Sequence, residues 1–252
     1  MHIRVVVIVG LLLVGGLFSC KKDKADETPV AEVPMLKLEC RPFFGADTLQ
    51  LDTVYILNDG TEIKITDVKF YLSNLMCGTK LLKNYSLFDY RNDGFQVLNV
   101  AGNHTDFSSL TGLIGVPSSV NHNDPSAFSM NSDLNIANAG DMHWDWNPGY
   151  IFIKLEGKAD TIQDGVANFD HLLAYHVGLD ENATNLQFPT LNWTSISNLQ
   201  HVAKLRLDVK NIIDHPTQPI NIRNEAFTHS AIQQATLTEK VRSNFLNSLI
   251  AE

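Results

Sequence analysis

A series of short apolar segments, bounded by turn-forming residues, constrains the fold of this 252-residue chain more than any other feature. Val68, Phe70 and Leu72, for example, occupy every second position of one segment. Side chains of a strand point alternately to its two faces, so this spacing predicts strands with one buried face. Turn sequences such as Asn-Asp-Gly at 58–60 separate the segments. We predict strands at Leu36–Phe43, Leu51–Leu57, Glu62–Met76, Tyr150–Glu156, Phe169–Val177 and Val202–Val209.

The C-terminal region has a different period. Four apolar residues there recur every four positions: Leu237, Val241, Phe245 and Leu249. This spacing predicts a helix with one apolar face, and Thr236 with Glu239 predicts a capping box at its start. Residues 101–141 are rich in Asn, Ser, Gly and Asp, which predicts a long irregular loop with a short helix near Pro125–Met130, capped by Asp124. The predicted fold is therefore mainly β: an antiparallel β-sandwich with a long irregular loop and a C-terminal helix.

The N-terminal segment has the features of an export signal. Arg4 precedes an uncharged apolar run over 5–17, which is too short to span a bilayer and has the length of a signal-peptide core. The sequence Leu-Phe-Ser-Cys at 17–20 resembles the lipobox of bacterial lipoproteins, in which the cysteine is lipidated and becomes the first mature residue. The resemblance implies a lipoprotein signal peptide over 1–19 and a lipid anchor at Cys20.

The residues after this cysteine define the remaining organisation. Lys21 stands where lipoproteins retained in the inner membrane have an aspartate, so we predict an outer-membrane lipoprotein of the cell envelope, on the periplasmic or the surface face. Residues 20–34 are charged and poor in large apolar side chains, which predicts a lipidated flexible tether. Residues 35–252 suffice for one domain with its own core. The net charge of −9 argues against a nucleic-acid partner.

Two cysteines remain in the predicted domain. Cys40 and Cys77 could form a disulfide in an oxidising compartment or remain as free thiols on separate strands, and the sequence leaves both alternatives open. Neither belongs to a Cys-x-x-Cys motif, which argues against a thiolate zinc site. Motifs typical of nucleophilic, zinc-dependent or phosphate-binding enzymes are missing from the sequence, so we predict that the protein is not an enzyme.

Residues 142–157 concentrate aromatic and ligand-type side chains. In an extended chain His143 and Asp145 would share one face, and Trp144 and Trp146 would share the other. A face with histidine and aspartate can bind a metal ion or hold a proton. A face with two indoles can pack, stack or be oxidised.

Further histidines lie in or near the predicted strands. His171 and His176 are five residues apart, so on one strand they point to opposite faces and are not expected to bind one metal ion together. Neutral imidazole is the commonest protein ligand for copper and zinc, and two histidines from different strands with a third donor would form a tight site. The candidate metal ligands are His176, His143 and His229.

Several motifs together resemble the domain of the methanobactin-associated MbnP-like copper proteins. They keep the order of that family: Lys69-Phe70-Tyr71-Leu72-Ser73-Asn74, Trp144-x-Trp146-x-x-Gly149-Tyr150, Lys154-Leu155-Glu156-Gly157, His176-Val177-Gly178 and Leu207-Asp208-Val209. The resemblance covers residues 36–250. The chain departs from methanotroph members after the His-x-Gly motif, where they have a cysteine and this chain has Leu179.

The resemblance implies a lipid-anchored or secreted β-sandwich that binds copper and acts in copper acquisition or handling. In some members, histidines and a kynurenine made by oxidising a tryptophan hold the copper. His176 is then the implied ligand, Trp144 and Trp146 are the oxidation candidates, and a di-haem peroxidase-like protein is the implied partner. The residues alone leave a second function open: a surface module that recognises a glycan or a protein through an aromatic platform of Trp144, Trp146 and Tyr150.

Overall fold

A computed structural model of the chain describes residues 32–144, 149–162 and 164–252. The strands of these residues, in chain order, are β1 (Met35–Phe44), β2 (Asp47–Thr48), β3 (Val54–Ile56), β4 (Glu62–Cys77), β5 (Lys80–Asp89), β6 (Gln96–Ala101), β7 (Leu110–Ile114), β8 (Ile151–Asp160), β9 (His171–Gly178), β10 (Thr184–Phe188), β11 (Thr194–Ser197), β12 (Gln200–Asp208), β13 (Phe227–Thr228) and β14 (Leu249–Ala251). The α-helices are α1 (Tyr90–Asp93), α2 (Ser118–Asn121), α3 (Ile136–Ala139), α4 (Val209–Ile213) and α5 (Ala235–Ser248). Short 3-10 helices occur at His104–Asp106, Pro125–Ala127, Asp180–Asn182 and Ile232–Gln234.

Several predictions concern residues that the structure does not describe, at the N-terminus and after Trp144. The predicted signal peptide over 1–19, the lipidation site Cys20 and the tether up to residue 31 lie outside the described residues, as do Asp145 and Trp146. Within the described ranges, no helix combines the length and the apolar character needed to cross a bilayer.

The strands form two sheets. The first has the order β11-β12-β1-β2, with β14 beside β12 and β6 beside β1. The second has the order β10-β7-β4-β8-β9-β13, with β3 and β5 also paired to the long central strand β4. Most pairs are antiparallel, but β1 runs parallel to β12 and β13 runs parallel to β9. The prediction of a mainly-β sandwich with a C-terminal helix is thus confirmed, with two parallel pairings added to the antiparallel ones.

The core lies between the two sheets and under α5. Residues of β1 alternate between buried and partly exposed, and Leu36 and Leu38 point into the core with Phe70 of β4. The ring of Phe245 on α5 packs edge-on against Phe70, with ring centroids 5.2 Å apart. Burying large aromatic side chains contributes about 1.5–3 kcal/mol each, so the helix is held mainly by this apolar face.

A second apolar cluster covers the outer face of the eight-stranded sheet. We call it the covering-loop cluster, and its buried members are Tyr71, Val116, Leu134, Ala139, Met142, Trp144, Tyr150, Ile151 and Phe152. The hydroxyl of Tyr71 donates to the carbonyl of Asp133, 3.0 Å away, and its ring lies edge-on to Tyr150. These contacts pack the loop after β7 against β4 and β8, and they carry the chain to His143.

Some predicted elements differ from the structure. The strand predicted at Leu51–Leu57 is only the three-residue β3, and the predicted irregular loop contains strand β7. The predicted short helix is the 3-10 turn Pro125–Ala127, in which the Asp124 carboxylate accepts from the amide of Ser126.

The C-terminal helix forms as predicted, but it ends before Leu249 and lacks the predicted capping box. It begins at Ala235, directly after a 3-10 turn, and no side-chain cap forms there. Glu239 pairs instead with Arg242, one turn further along. Leu249 leaves the helix because β14 pairs with β12.

The two cysteines of the domain are free thiols. Cys40 is buried on β1 of the first sheet, while Cys77 ends β4 of the second sheet, with its Sγ 3.3 Å from the Ser109 hydroxyl. Burial raises the pKa of Cys40 well above its usual range, so the Cys40 thiol stays protonated. The structure thus shows Cys40 and Cys77 as two free thiols, the second of the two alternatives.

Candidate metal centre

The candidate centre lies on the outer face of the eight-stranded sheet, where β4, β8 and β9 run side by side. The register places Lys69, Lys154 and His176 opposite one another in one row across these strands. Asp67 and Glu156 form the adjacent row. Residues two apart on a strand share a face, so a row of basic side chains lies beside a row of carboxylates. We call these five residues the polar rows.

Ion pairs join the polar rows to the covering loop. The Nζ atom of Lys154 lies 3.4 Å from Asp67 and 3.3 Å from Glu156, and it also binds the carboxylate of Asp141 in the loop. Asp141 is 3.0 Å from Nζ of Lys69 as well. Burial alone would lower the pKa of Lys154, but the hydrogen bond to Asp141 and the nearby carboxylates raise it. Pairing thus offsets the cost of burying this cation.

His176 and His229 lie next to each other at the edge of this face. Because β13 runs parallel to β9, with Thr228 paired to Tyr175, the residue after β13 arrives beside His176. The ring centroids of the two histidines are 4.9 Å apart, with 43° between the ring planes. The backbone amide of His229 donates to Oε1 of Gln234, 2.8 Å away, which holds the turn in place.

The electrostatics of the pair favour a neutral His229 beside a charged Glu156. Burial and the neighbouring His176 lower the pKa of His229, while Glu156 acts in the opposite direction. The hydrogen bond with His176 lowers the pKa of Glu156, whose Oε1 lies 2.8 Å from Nε2 of His176. A neutral imidazole is the form that can bind a metal ion.

Two strained turns flank the pair. Leu179, which follows the His-x-Gly motif, has φ 70°, and Ser230, which follows His229, has φ 59°. The hydroxyl of Ser230 accepts from the amide of Gly178 at 2.9 Å and donates to the carbonyl of His176 at 3.2 Å. Left-handed backbone costs a non-glycine residue about 1–3 kcal/mol and is enriched at functional sites, although Asp52 and Asn74, elsewhere in the domain, also adopt it.

Trp144 lies against the same turn. A Cβ atom placed on Gly178 would be 2.6 Å from Cη2 of Trp144, so the indole occupies the space that the glycine leaves, two residues from His176. Only 5% of Trp144 is exposed and Tyr150 is fully buried. Two members of the predicted aromatic platform are therefore inside the protein, and the platform interpretation is wrong for them; Trp146 lies outside the described residues.

His143 is placed differently from the other two candidate ligands. It pairs with Tyr150 through an isolated β-bridge, and its ring lies edge-on to the Tyr150 ring with centroids 5.0 Å apart. Across the described part of the chain, no three His, Cys, Asp or Glu side chains form a group that could hold a metal ion. The structure thus brings together two of the three predicted ligands, His176 and His229, and does not add His143 to them.

The prediction that His171 and His176 point to opposite faces of β9 is confirmed. The Nε2 atom of His171 lies 2.7 Å from the carbonyl of Ile222, away from the polar rows. Sequence reasoning missed Glu156, the carboxylate that contacts His176. Its signal was the alternation of Lys154 and Glu156, which indicates a polar outer face on an otherwise apolar strand.

The two sheets, the covering loop and the histidine pair define a β-sandwich domain with two adjacent imidazoles as candidate metal ligands. The profile of the MbnP family matches residues 33–234, so the chain belongs to the MbnP family. Among solved structures, MbnP from Methylosinus trichosporium is similar, with 11% sequence identity, 71% of this chain and 77% of that chain covered, and a TM-score of 0.46. No curated protein matches the chain. Family membership rests on the profile match.

Proposed function

We propose that this protein is a lipid-anchored, extracytoplasmic copper-binding protein that acts in copper acquisition or handling and is not itself an enzyme. The observation that carries the proposal is the approach of His176 and His229, whose ring centroids are 4.9 Å apart. Membership of the MbnP family supports copper as the metal.

The histidine pair fits the donor preference of copper. Imidazole nitrogen suits Cu(II), and the affinity of such sites for divalent ions rises towards copper. The lowered pKa of His229 favours its neutral form near neutral pH, which leaves a lone pair for a metal ion. His176 and His229 would hold the ion, and any third donor would come from outside this pair.

Copper titration of the purified mature protein tests the proposal. We expect about one equivalent of Cu(II) to bind, and we expect His176→Ala and His229→Ala each to remove most of this binding, since each deletes one imidazole donor. The matched control is His104→Ala, because His104 belongs to a different histidine pair, stacked on His201 with centroids 3.9 Å apart.

The results distinguish binding at the pair His176 and His229 from nonspecific binding of copper to other histidines. Equal loss in His104→Ala and His176→Ala would mean that copper binding is not specific to the pair His176 and His229. Wild-type binding no stronger than that of an unrelated protein would refute the copper proposal outright.

We further propose Trp144 as an oxidation candidate, with a di-haem peroxidase-like protein as the partner that acts on it. Its indole lies against Gly178, two residues from His176, so an oxidised product would be near the histidine pair. With peroxide as the oxidant, conversion to kynurenine would cleave the indole C2–C3 bond and release C2 as formate, a net gain of one oxygen and loss of one carbon that raises the mass by about 4 Da. Intact mass and peptide mapping of protein from its native source would detect this change at Trp144 or at Trp146, and an unmodified mass would refute it.

The membrane anchor is proposed from the lipobox at residues 17–20. Lipidation at Cys20 would hold the protein at the outer membrane through its acyl chains, on the periplasmic or surface face. We expect Cys20→Ser to move the protein from the membrane fraction to the soluble fraction, while Cys77→Ser leaves it in the membrane. Equal membrane association of both variants would refute the anchor.

A further inference from the structure

One hydrogen bond joins the histidine pair to the row of carboxylates. The Oε1 atom of Glu156 lies 2.8 Å from Nε2 of His176, and the same oxygen lies 3.3 Å from Nζ of Lys154. The side chains of His176 and Glu156 are 14% and 32% exposed, so the bond is partly shielded from water. A hydrogen bond is electrostatically stronger in such surroundings than in bulk water.

The chemistry of this contact determines which nitrogen of His176 carries the proton. An ionised glutamate only accepts hydrogen bonds, so Nε2 of His176 is the donor. A neutral imidazole carries a single N–H, which leaves the lone pair on Nδ1. The hydrogen bond made by one ring nitrogen generally sets which nitrogen is free to bind a metal ion.

We propose that Glu156 is a positioning residue that holds neutral His176 in its Nε2–H tautomer and thereby assigns Nδ1 as the nitrogen offered to a metal ion. The assignment of a metal-binding nitrogen rests on the proposed function, whereas the assignment of the His176 tautomer does not. Glu156 supports the site through His176.

The position of Glu156 is itself determined by its neighbours. Lys154 pairs with Glu156 and is anchored in turn by Asp67 and by Asp141 of the covering loop. A chain of alternating charges therefore runs from the loop to His176. Asp141 also directly precedes the segment that carries His143 and Trp144, so the loop and the histidine pair are held by one network.

Nitrogen-15 NMR of the metal-free mature protein tests the inference. Long-range correlation spectra distinguish protonated from lone-pair ring nitrogens, and at a pH where the ring is neutral we expect His176 to be protonated at Nε2. Glu156→Ala should shift the ring towards a mixture of tautomers, whereas Glu156→Gln keeps an acceptor oxygen and should retain more of the Nε2–H form. Glu62→Ala, on the same face of the sheet, is the control and should leave His176 unchanged.

Copper affinity provides a second, separate measurement. Loss of a carboxylate that orients a metal-binding histidine typically weakens metal binding about 10–100-fold, which we expect for Glu156→Ala and not for Glu62→Ala. A wild-type His176 protonated at Nδ1, or a tautomer unaffected by Glu156→Ala, would overturn the inference. Unchanged copper affinity in Glu156→Ala would overturn the role of Glu156 as a positioning residue for metal binding.

The two proposals can fail separately. If His176 is protonated at Nε2 and responds to Glu156→Ala while no copper binds, the tautomer assignment stands and the proposed function fails. The wild-type spectrum decides the tautomer by itself, so the test does not depend on the folding of Glu156→Ala.

Discussion

Gly178→Ala is the substitution for which the structure predicts the clearest effect. The new Cβ would lie 2.6 Å from Cη2 and 2.7 Å from Cζ3 of Trp144, and 2.7 Å from the carbonyl oxygen of Tyr150. Ordinary contacts between carbon atoms are about 3.5–4.0 Å, so these neighbours must move by about 1 Å. One of them is backbone of the adjacent strand, and the other is an indole packed in the covering-loop cluster.

The expected cost is at the upper end of the range for overpacked sites. Such insertions typically cost about 1–3 kcal/mol, and we expect about 3 kcal/mol here because neither neighbour can rotate away. For a domain of this size that corresponds to a fall in Tm of about 6–12 °C. The displaced indole should also change the tryptophan fluorescence of the folded protein.

Thermal unfolding followed by circular dichroism, with fluorescence of the native state, measures both effects. Gly102→Ala is the matched control, since its nearest contact, at 3.0 Å, is the flexible end of the Leu36 side chain. We expect Gly102→Ala to cost less than about 1 kcal/mol. If Gly178→Ala unfolds at the same temperature as Gly102→Ala and its fluorescence is unchanged, the reasoning about Trp144 is refuted.

Two further predictions concern the core and the ion pairs between the covering loop and the polar rows. Phe245→Ala removes a buried ring that packs on Phe70 and should cost about 3–5 kcal/mol by urea unfolding; a loss below about 1 kcal/mol would contradict the packing of α5. Asp141→Asn should destabilise the protein at neutral pH. Burial raises the pKa of Asp141, but the hydrogen bonds from Lys154 and Lys69 outweigh burial, and the net pKa is lowered. A carboxyl group whose pKa is lowered on folding stabilises the protein above its ordinary pKa, and this stabilisation is lost as the pH falls through the folded-state pKa. The difference in stability between Asp141→Asn and wild type should therefore vanish in acid. A difference that does not depend on pH would contradict this.

The predictable parts of the fold depend on residues close together in the chain. The alternation in β4 and the four-residue repeat in α5 are such patterns, and both elements form, although Leu249 lies outside the helix. Strand β7 was missed because it is only five residues long, contains Gly112 and follows a polar segment. Only the sheet explains why a glycine stands at position 112. A Cβ atom there would lie 2.8 Å from Cδ2 of Leu75 and 3.0 Å from the carbonyl of Ser73.

The candidate site also has parts that the sequence predicts and parts that only the tertiary structure shows. Residue types and motif order alone selected His176, His229 and Trp144, and they indicated the family to which the chain belongs. Only the tertiary structure decided that His176 and His229 meet, that Glu156 contacts His176, and that Trp144 is buried against Gly178. The physical reason is that strand pairing sets these contacts: the parallel register of β13 with β9, and the antiparallel register of β8 with both β4 and β9, join segments far apart in the chain. Local periodicity shows which face a side chain occupies, whereas its neighbours on that face are determined by the register between strands.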